Sequence, residues 1–142
     1  MYIEENHIYF KIETIPNMVG RVKLMKLLKK DIIGIMHYVR DLEAASQWYC
    51  ENLGFSIGDY DFNDFVELTL DGHYVMHLFK SEDTRPTEKA YFVLSTDDIE
   101  YTHHTLRQRN ADLQPLRHYG DHAGFTLNDC DGNVLMICQY FR

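Results

Sequence analysis

From residue 31 onward the chain carries one plan twice. An apolar, β-rich run at 32–39 precedes Asp41, whose carboxylate suits the free amides of a helix start. Leu42, Ala45, Tyr49 and Leu53 then fall on one helical face, and Gly54 supplies a left-handed stop. Short strands are predicted at 55–60, 65–70 and 74–80, the last two joined across Asp71-Gly72-His73. The same order returns with a β-rich run at 90–96 and a helix opened by Asp97 or Asp98, which carries Ile99, Thr102 and Leu106 as far as Asn110. Strands are predicted to follow at 113–119, 124–128 and 134–140. Asp71-Gly72 matches Asp131-Gly132 and Met76 matches Met136, an offset of sixty residues in both cases.

Strand, helix and three strands, repeated, predict an α+β fold of two tandem βαβββ modules, at about 31–81 and 88–142. Residues 1–30 read as an N-terminal extension to this 31–142 domain. Within it, 7–15 could form a strand that Pro16-Asn17 breaks. Arg21, Lys23, Lys26, Lys29 and Lys30 then form a basic stretch without an acid, read as a solvated flank.

The chain has 142 residues, room for one domain or two small fused repeats, and too few for two enzyme-sized domains. Fourteen Lys and Arg against twenty-two Asp and Glu leave a charge of −8, which opposes a nucleic-acid partner. Cys50, Cys130 and Cys138 are odd in number and far apart, with no CxxC spacing, so free thiols in a reducing compartment are expected. No apolar run approaches membrane-spanning length, and the first residues lack a basic start followed by an apolar stretch. A cytoplasmic protein with no membrane partner is the expectation.

Particular residues resemble the vicinal oxygen chelate superfamily, which contains glyoxalase I, fosfomycin- and bleomycin-resistance proteins and extradiol dioxygenases. They are Tyr38-Val39-Arg40-Asp41-Leu42-Glu43-Ala44-Ala45, Trp48-Tyr49, Asn52-Leu53-Gly54-Phe55 and the segment Phe125 to Leu135. In that segment Cys130 stands where the family usually has Pro. The resemblance covers about 32–141. It implies curved mixed sheets forming a ligand cup, and a homodimer whose cups draw on modules of two chains. It implies little about activity, since one fold hosts many chemistries.

Side-chain alternation points Phe65, Glu67 and Thr69 into the cup from one strand and Val75, His77 and Phe79 from the next. Val66, Leu68, Leu70, Tyr74, Met76 and Leu78 then face the helix. A three-residue loop at 71–73 sets Glu67 opposite His77. A carboxylate beside an imidazole can be half a metal site, a general base, or a hydrogen-bonded pair that satisfies two polar groups. The family's four metal-ligand positions land on Gly34, His77, Tyr91 and Met136, of which His77 alone is a competent ligand for a hard or borderline cation. His37 falls on the opposite parity from the cup and reads as packed under the helix or at an edge. His103 and His104 read as sharing a helix face with solvent, and His118 and His122 flank the 119–121 loop near the cup's rim.

The remaining predicted lining, Met36, Tyr38, Phe65, Val75, Phe79, Val93, Val134, Cys138 and Tyr140, is mostly aromatic or apolar. It suits a small flat molecule held by stacking and a few directional hydrogen bonds. The expected function is therefore binding of an aromatic or apolar small molecule by Met36, Tyr38, Phe65, Phe79, Tyr91, Met136 and Tyr140, oriented by Glu67 and His77, without a metal or other cofactor. The competing expectation is a divalent-metal-dependent glyoxalase-like isomerase, lyase or dioxygenase using His77 and Glu67 catalytically. A regulatory module without ligand chemistry is a third.

Overall fold

The computed structural model describes residues 2–4, 7–11 and 21–141, with side chains from 26 onward. The chain divides into two compact units, Met1–Ile32 and Ile33–Arg142. In the first, β1 (Tyr2–Glu4), β2 (His7–Lys11) and β3 (Arg21–Met25) form an antiparallel sheet in that order. The start of the basic stretch is a strand, paired from Lys11↔Arg21 to His7↔Met25. The predicted strand beyond Lys11 and the Pro16-Asn17 break lie outside the described residues.

The second unit realises the duplicated plan. Its first module runs β4 (Ile35–Val39), α1 (Leu42–Leu53), β5 (Ser56–Asp61), β6 (Phe65–Leu70) and β7 (His73–Lys80), with sheet order β4-β7-β6-β5. Asp41 caps α1 by accepting from the Ala44 amide at 3.0 Å, and Gly54 ends it at φ 77°. The helix buries Leu42, Ala45, Ser46 and Tyr49 over Val39, Val66, Leu68, Met76 and Leu78. Each such Leu contributes roughly 1.5–3 kcal/mol through burial.

Asp71 and Gly72 both take positive φ, 50° and 76°, which makes the β6–β7 connection a two-residue turn pairing Leu70 with His73. A bulge then skips Val75, so that Leu68 pairs with Met76 and Glu67 with His77. The predicted Glu67–His77 opposition thus arises by a different route, a shorter turn plus an extra residue in β7. The extra residue also reverses the two positions before it. Tyr74, expected on the helix side, lies against His77, and Val75, expected in the cup, packs on the core.

The second module comprises β8 (Val93–Ser95), α2 (Ile99–Gln108), β9 (Asp112–Leu113), β10 (Arg117–His118), β11 (His122–Asn128) and β12 (Val134–Tyr140). Its sheet runs β10-β11-β12-β8, with β9 also on β11. The strand expected at 113–119 is thus two short pieces on one edge of β11. Pro115 lies between them and has no amide to donate to a ladder. Asp98 caps α2 by accepting from the Tyr101 amide at 3.0 Å. His103 is buried, against the expectation of solvent exposure: its Nε2 meets the Gln114 carbonyl at 3.0 Å and its ring packs edge-on to Phe125. Helix contact with the β9–β10 link, a tertiary feature, covers it.

Candidate functional site

The face of the first sheet away from α1 carries an aromatic shelf. His77 lies parallel to Phe79, with centroids 5.3 Å apart and planes at 12°. Phe65 flanks His77 at 5.8 Å, and Tyr38 on β4 extends the row beyond Phe79 at 5.9 Å. Tyr74 covers the other side of His77 at 5.0 Å, and its hydroxyl donates to His77 Nδ1 at 2.5 Å. That hydrogen bond leaves Nε2 to carry the imidazole proton toward Glu67 Oε1, 3.4 Å away. Glu67 Oε2 in turn lies 3.4 Å from the Asp59 amide, in the β5 bulge. Glu67 and His77 are half-buried, and the arrangement is a polar seam through an aromatic surface.

Gly34, one of the four family ligand positions, lies directly beneath Tyr74. A side chain there would meet the Tyr74 hydroxyl at 2.5 Å and its ring carbon Cζ at 2.7 Å. Tyr74 therefore fills the space a ligand at position 34 would use. Met136 presents a thioether, and the Tyr91 hydroxyl is engaged with His37. Among the described residues no three His, Cys, Asp or Glu gather as a metal-binding group. The donor set at these positions does not fit a divalent cation.

The other predicted lining residues fall into two further groups. Met36 and Tyr38, both about half exposed, join Tyr91 around a cavity of about 230 Å³, with Thr84, Arg85 and Thr87. Tyr38 thus connects this cavity to the shelf. Met136 and Tyr140 lie on β12 of the second sheet. Tyr140 stacks on His122 at 4.9 Å, and His122 stacks on Tyr119 at 5.0 Å. His122 Nδ1 also meets Asp121 at 2.6 Å, a bond that holds the Asp121 carboxyl below its ordinary range. Met136 lines a separate 180 Å³ cavity with Arg117, Tyr119 and Thr126. Cys138 fills the space over Gly124, as a small apolar residue would, and burial raises its thiol.

Sequence reasoning gave His37 no role beyond packing. It is buried at the base of the Tyr91 cavity and bridges the two modules. Its Nε2 donates to Asp129 Oδ2 at 3.0 Å, and its Nδ1 accepts from the Tyr91 hydroxyl. Asp129 is saturated with donors. Oδ1 accepts the Asp131 and Asn133 amides, both at 2.9 Å, and Oδ2 also accepts Tyr49 Oη at 2.7 Å and Asn133 Nδ2 at 3.1 Å. Burial alone would raise the Asp129 carboxyl, but hydrogen bonds from His37, Tyr49 and Asn133 outweigh it and hold it low. Burial first, and then the Asp129 charge, pushes the Tyr91 hydroxyl up to about 12, so it stays protonated. The same two causes raise Tyr49. The available signals were a histidine at a core-parity position and an aspartate opening the 129–133 turn, which only the module interface connects.

A family model described as the Glyoxalase/Bleomycin resistance protein/Dioxygenase superfamily matches residues 32–137. A search of curated proteins returns no match. Among solved structures, TnmS3, an antibiotic-binding protein from Streptomyces sp. CB03234, superposes with TM-score 0.69 at 20% identity, covering 80% of this chain and 98% of that one. A superfamily member from Sphaerobacter thermophilus gives TM-score 0.67 at 24% identity, covering 80% and 99%. A lactoylglutathione lyase from Agrobacterium tumefaciens gives 0.66 at 14%, covering 78% and 94%. Likeness at these identities establishes the fold.

Proposed function

We propose, from the premise that the chain belongs to the Glyoxalase/Bleomycin resistance protein/Dioxygenase superfamily, that it binds a small flat aromatic molecule on the shelf of its first sheet without a metal. The observation that carries this reading is the row Phe65, His77, Phe79 and Tyr38, a continuous aromatic surface with one polar seam at Glu67. Such a surface gains from stacking and from apolar burial, while the seam orients one polar edge of the ligand. The antibiotic-binding neighbour of the same fold supports a binding role.

Exposed aromatic side chains on both sheets support a homodimer in which a second copy helps cover them, since Tyr38 is 50% and Tyr140 63% exposed. Three free thiols support a cytoplasmic setting, and among the described residues no helix is long and apolar enough to cross a membrane.

The test is calorimetric titration with a panel of planar aromatic molecules. Phe79→Ala removes the centre of the shelf and should weaken binding at least about tenfold, or ~1.4 kcal/mol. Tyr140→Ala reports whether the second sheet closes over the same ligand. Unchanged affinity in Phe79→Ala would end this reading.

A further inference from the structure

At one end of the shelf, Tyr38 passes from its contact with Phe79 to the wall of the 230 Å³ cavity that holds Tyr91 and Arg85. Behind Tyr91 a hydroxyl, an imidazole and a carboxylate stand in line. The carboxylate of Asp129 can only accept, so His37 Nε2 carries a proton toward it and Nδ1 is left as an acceptor. The Tyr91 proton is consequently committed inward to His37, and the Tyr91 oxygen offers its remaining lone pair to the cavity. The Met36 carbonyl, 3.4 Å from that oxygen, is a longer, weaker acceptor for the same Tyr91 proton. Arg85 is the charged side chain lining the same space, and it can only donate. An acidic hydroxyl can donate to Tyr91 while accepting from Arg85. Carried on a flat ring stacked along Tyr38 and Phe79, that group is a phenol.

We propose that Tyr91, His37 and Asp129 form a proton-accepting subsite that binds a phenolic ligand as its phenolate. The ligand O–H bond breaks and its proton passes to the Tyr91 oxygen. The Tyr91 proton passes to His37 Nδ1, and the resulting imidazolium stays paired with Asp129. The phenolate formed faces Arg85. Protons and charge balance, and no oxidant, metal or cofactor takes part. Tyr91 touches the ligand, while His37 and Asp129 act through it as positioning residues. The groups facing His37 are Tyr91 and Phe92 from the strand entry, Tyr49 from α1, and Asp129 with its partner Asn133 from the turn. Asp129 is the charged group bonded to it, and Arg85, from the link before β8, lines the same cavity as His37. Because Tyr91 is half exposed, replacing it by Phe removes the proton path with little disturbance to packing.

This proposal rests on the aromatic-shelf reading, and the experiment separates the two. The probe is 3-nitrophenol, a weaker acid whose anion absorbs in the visible, offered to the full chain in near-neutral buffer, where the free phenol stays largely protonated and an ordinary imidazole is largely neutral. Equilibrium dialysis measures binding and absorbance measures ionisation of the bound probe. Saturable growth of the phenolate band is expected. In Tyr91→Phe and His37→Gln the ionised fraction of bound probe should fall at least about tenfold. In Phe79→Ala affinity should fall while the bound probe remains ionised. Should His37→Gln fail to fold, Tyr91→Phe alone decides. Bound probe that stays protonated on the native protein, or that ionises equally on Tyr91→Phe, overturns the subsite and leaves the shelf standing. Absence of binding overturns both.

Discussion

Asp129→Asn tests the buried network where its energetics are most exposed. The carboxylate accepts five hydrogen bonds, two at Oδ1 from backbone amides and three at Oδ2 from His37, Tyr49 and Asn133. An asparagine oxygen at the Oδ1 position can keep the two backbone bonds. Its amide nitrogen then faces three donors. His37 can adapt by moving its proton to Nδ1, but Asn133 Nδ2 cannot, and the Tyr49 hydroxyl can only turn its proton away into the core. Two bonds to a charged acceptor are lost, each worth about 1.5–3 kcal/mol, giving an expected loss of about 3–6 kcal/mol. For a chain of this size that is a fall in Tm of roughly 6–24 °C.

The pH dependence has a definite sign. Asp129 is held below its unfolded value near 3.9, so its contribution is full above that value and disappears as pH falls through the lower folded value. Native and Asp129→Asn stabilities, measured by urea unfolding from pH 7 downward, should therefore converge in acid. A difference under about 1 kcal/mol at pH 7, or a gap that stays constant into acid, would refute the reasoning.

Gly34→Ala drives a methyl into the Tyr74 ring, which must move; thermal unfolding should show a loss of about 1–3 kcal/mol and aromatic NMR signals of Tyr74 and His77 should shift together. Gly124→Ala meets Cys138 Sγ at 2.7 Å and the Ile137 carbonyl at 3.0 Å, so a similar loss is expected there, with normal stability contradicting the packing described. Elemental analysis of untagged protein purified without chelator, then offered Ni, Zn, Mn and Fe, should find metal far below one per chain, because Gly34, Tyr91 and Met136 stand at three of the four ligand positions. Near-stoichiometric metal would return the isomerase or dioxygenase reading.

The fold was legible because its signals are local. Asp41, Gly54 and Asp98 act through their own backbone neighbours, and the burial of Leu42, Ala45 and Tyr49 follows from helical spacing. The candidate site was legible only in part. Phe65, Glu67, His77 and Phe79 share a face because alternation holds away from the turn. Alternation fails at Tyr74 and Val75, where positive φ at both Asp71 and Gly72 shortens the turn and β7 absorbs the difference in a bulge. Pro115 likewise interrupts a strand that the repeat alone would predict. The His37 network was hidden for another reason: its members stand 54 and 92 positions apart along the chain and meet only after the modules pack.

The most direct test of the central claim is a heteronuclear NMR titration with a planar aromatic ligand, reading which side chains respond. A cavity of about 280 Å³ lies between the helices among Asn52, Phe55, Leu94, Tyr101 and Arg109, and none of Tyr38, Phe65, His77 and Phe79 lines it. Ligand-dependent shifts at Tyr38, Phe65, His77 and Phe79, with Tyr101 and Leu94 unmoved, are the predicted result. Shifts confined to Phe55, Leu94, Tyr101 and Arg109 would place the ligand between the helices and contradict the account.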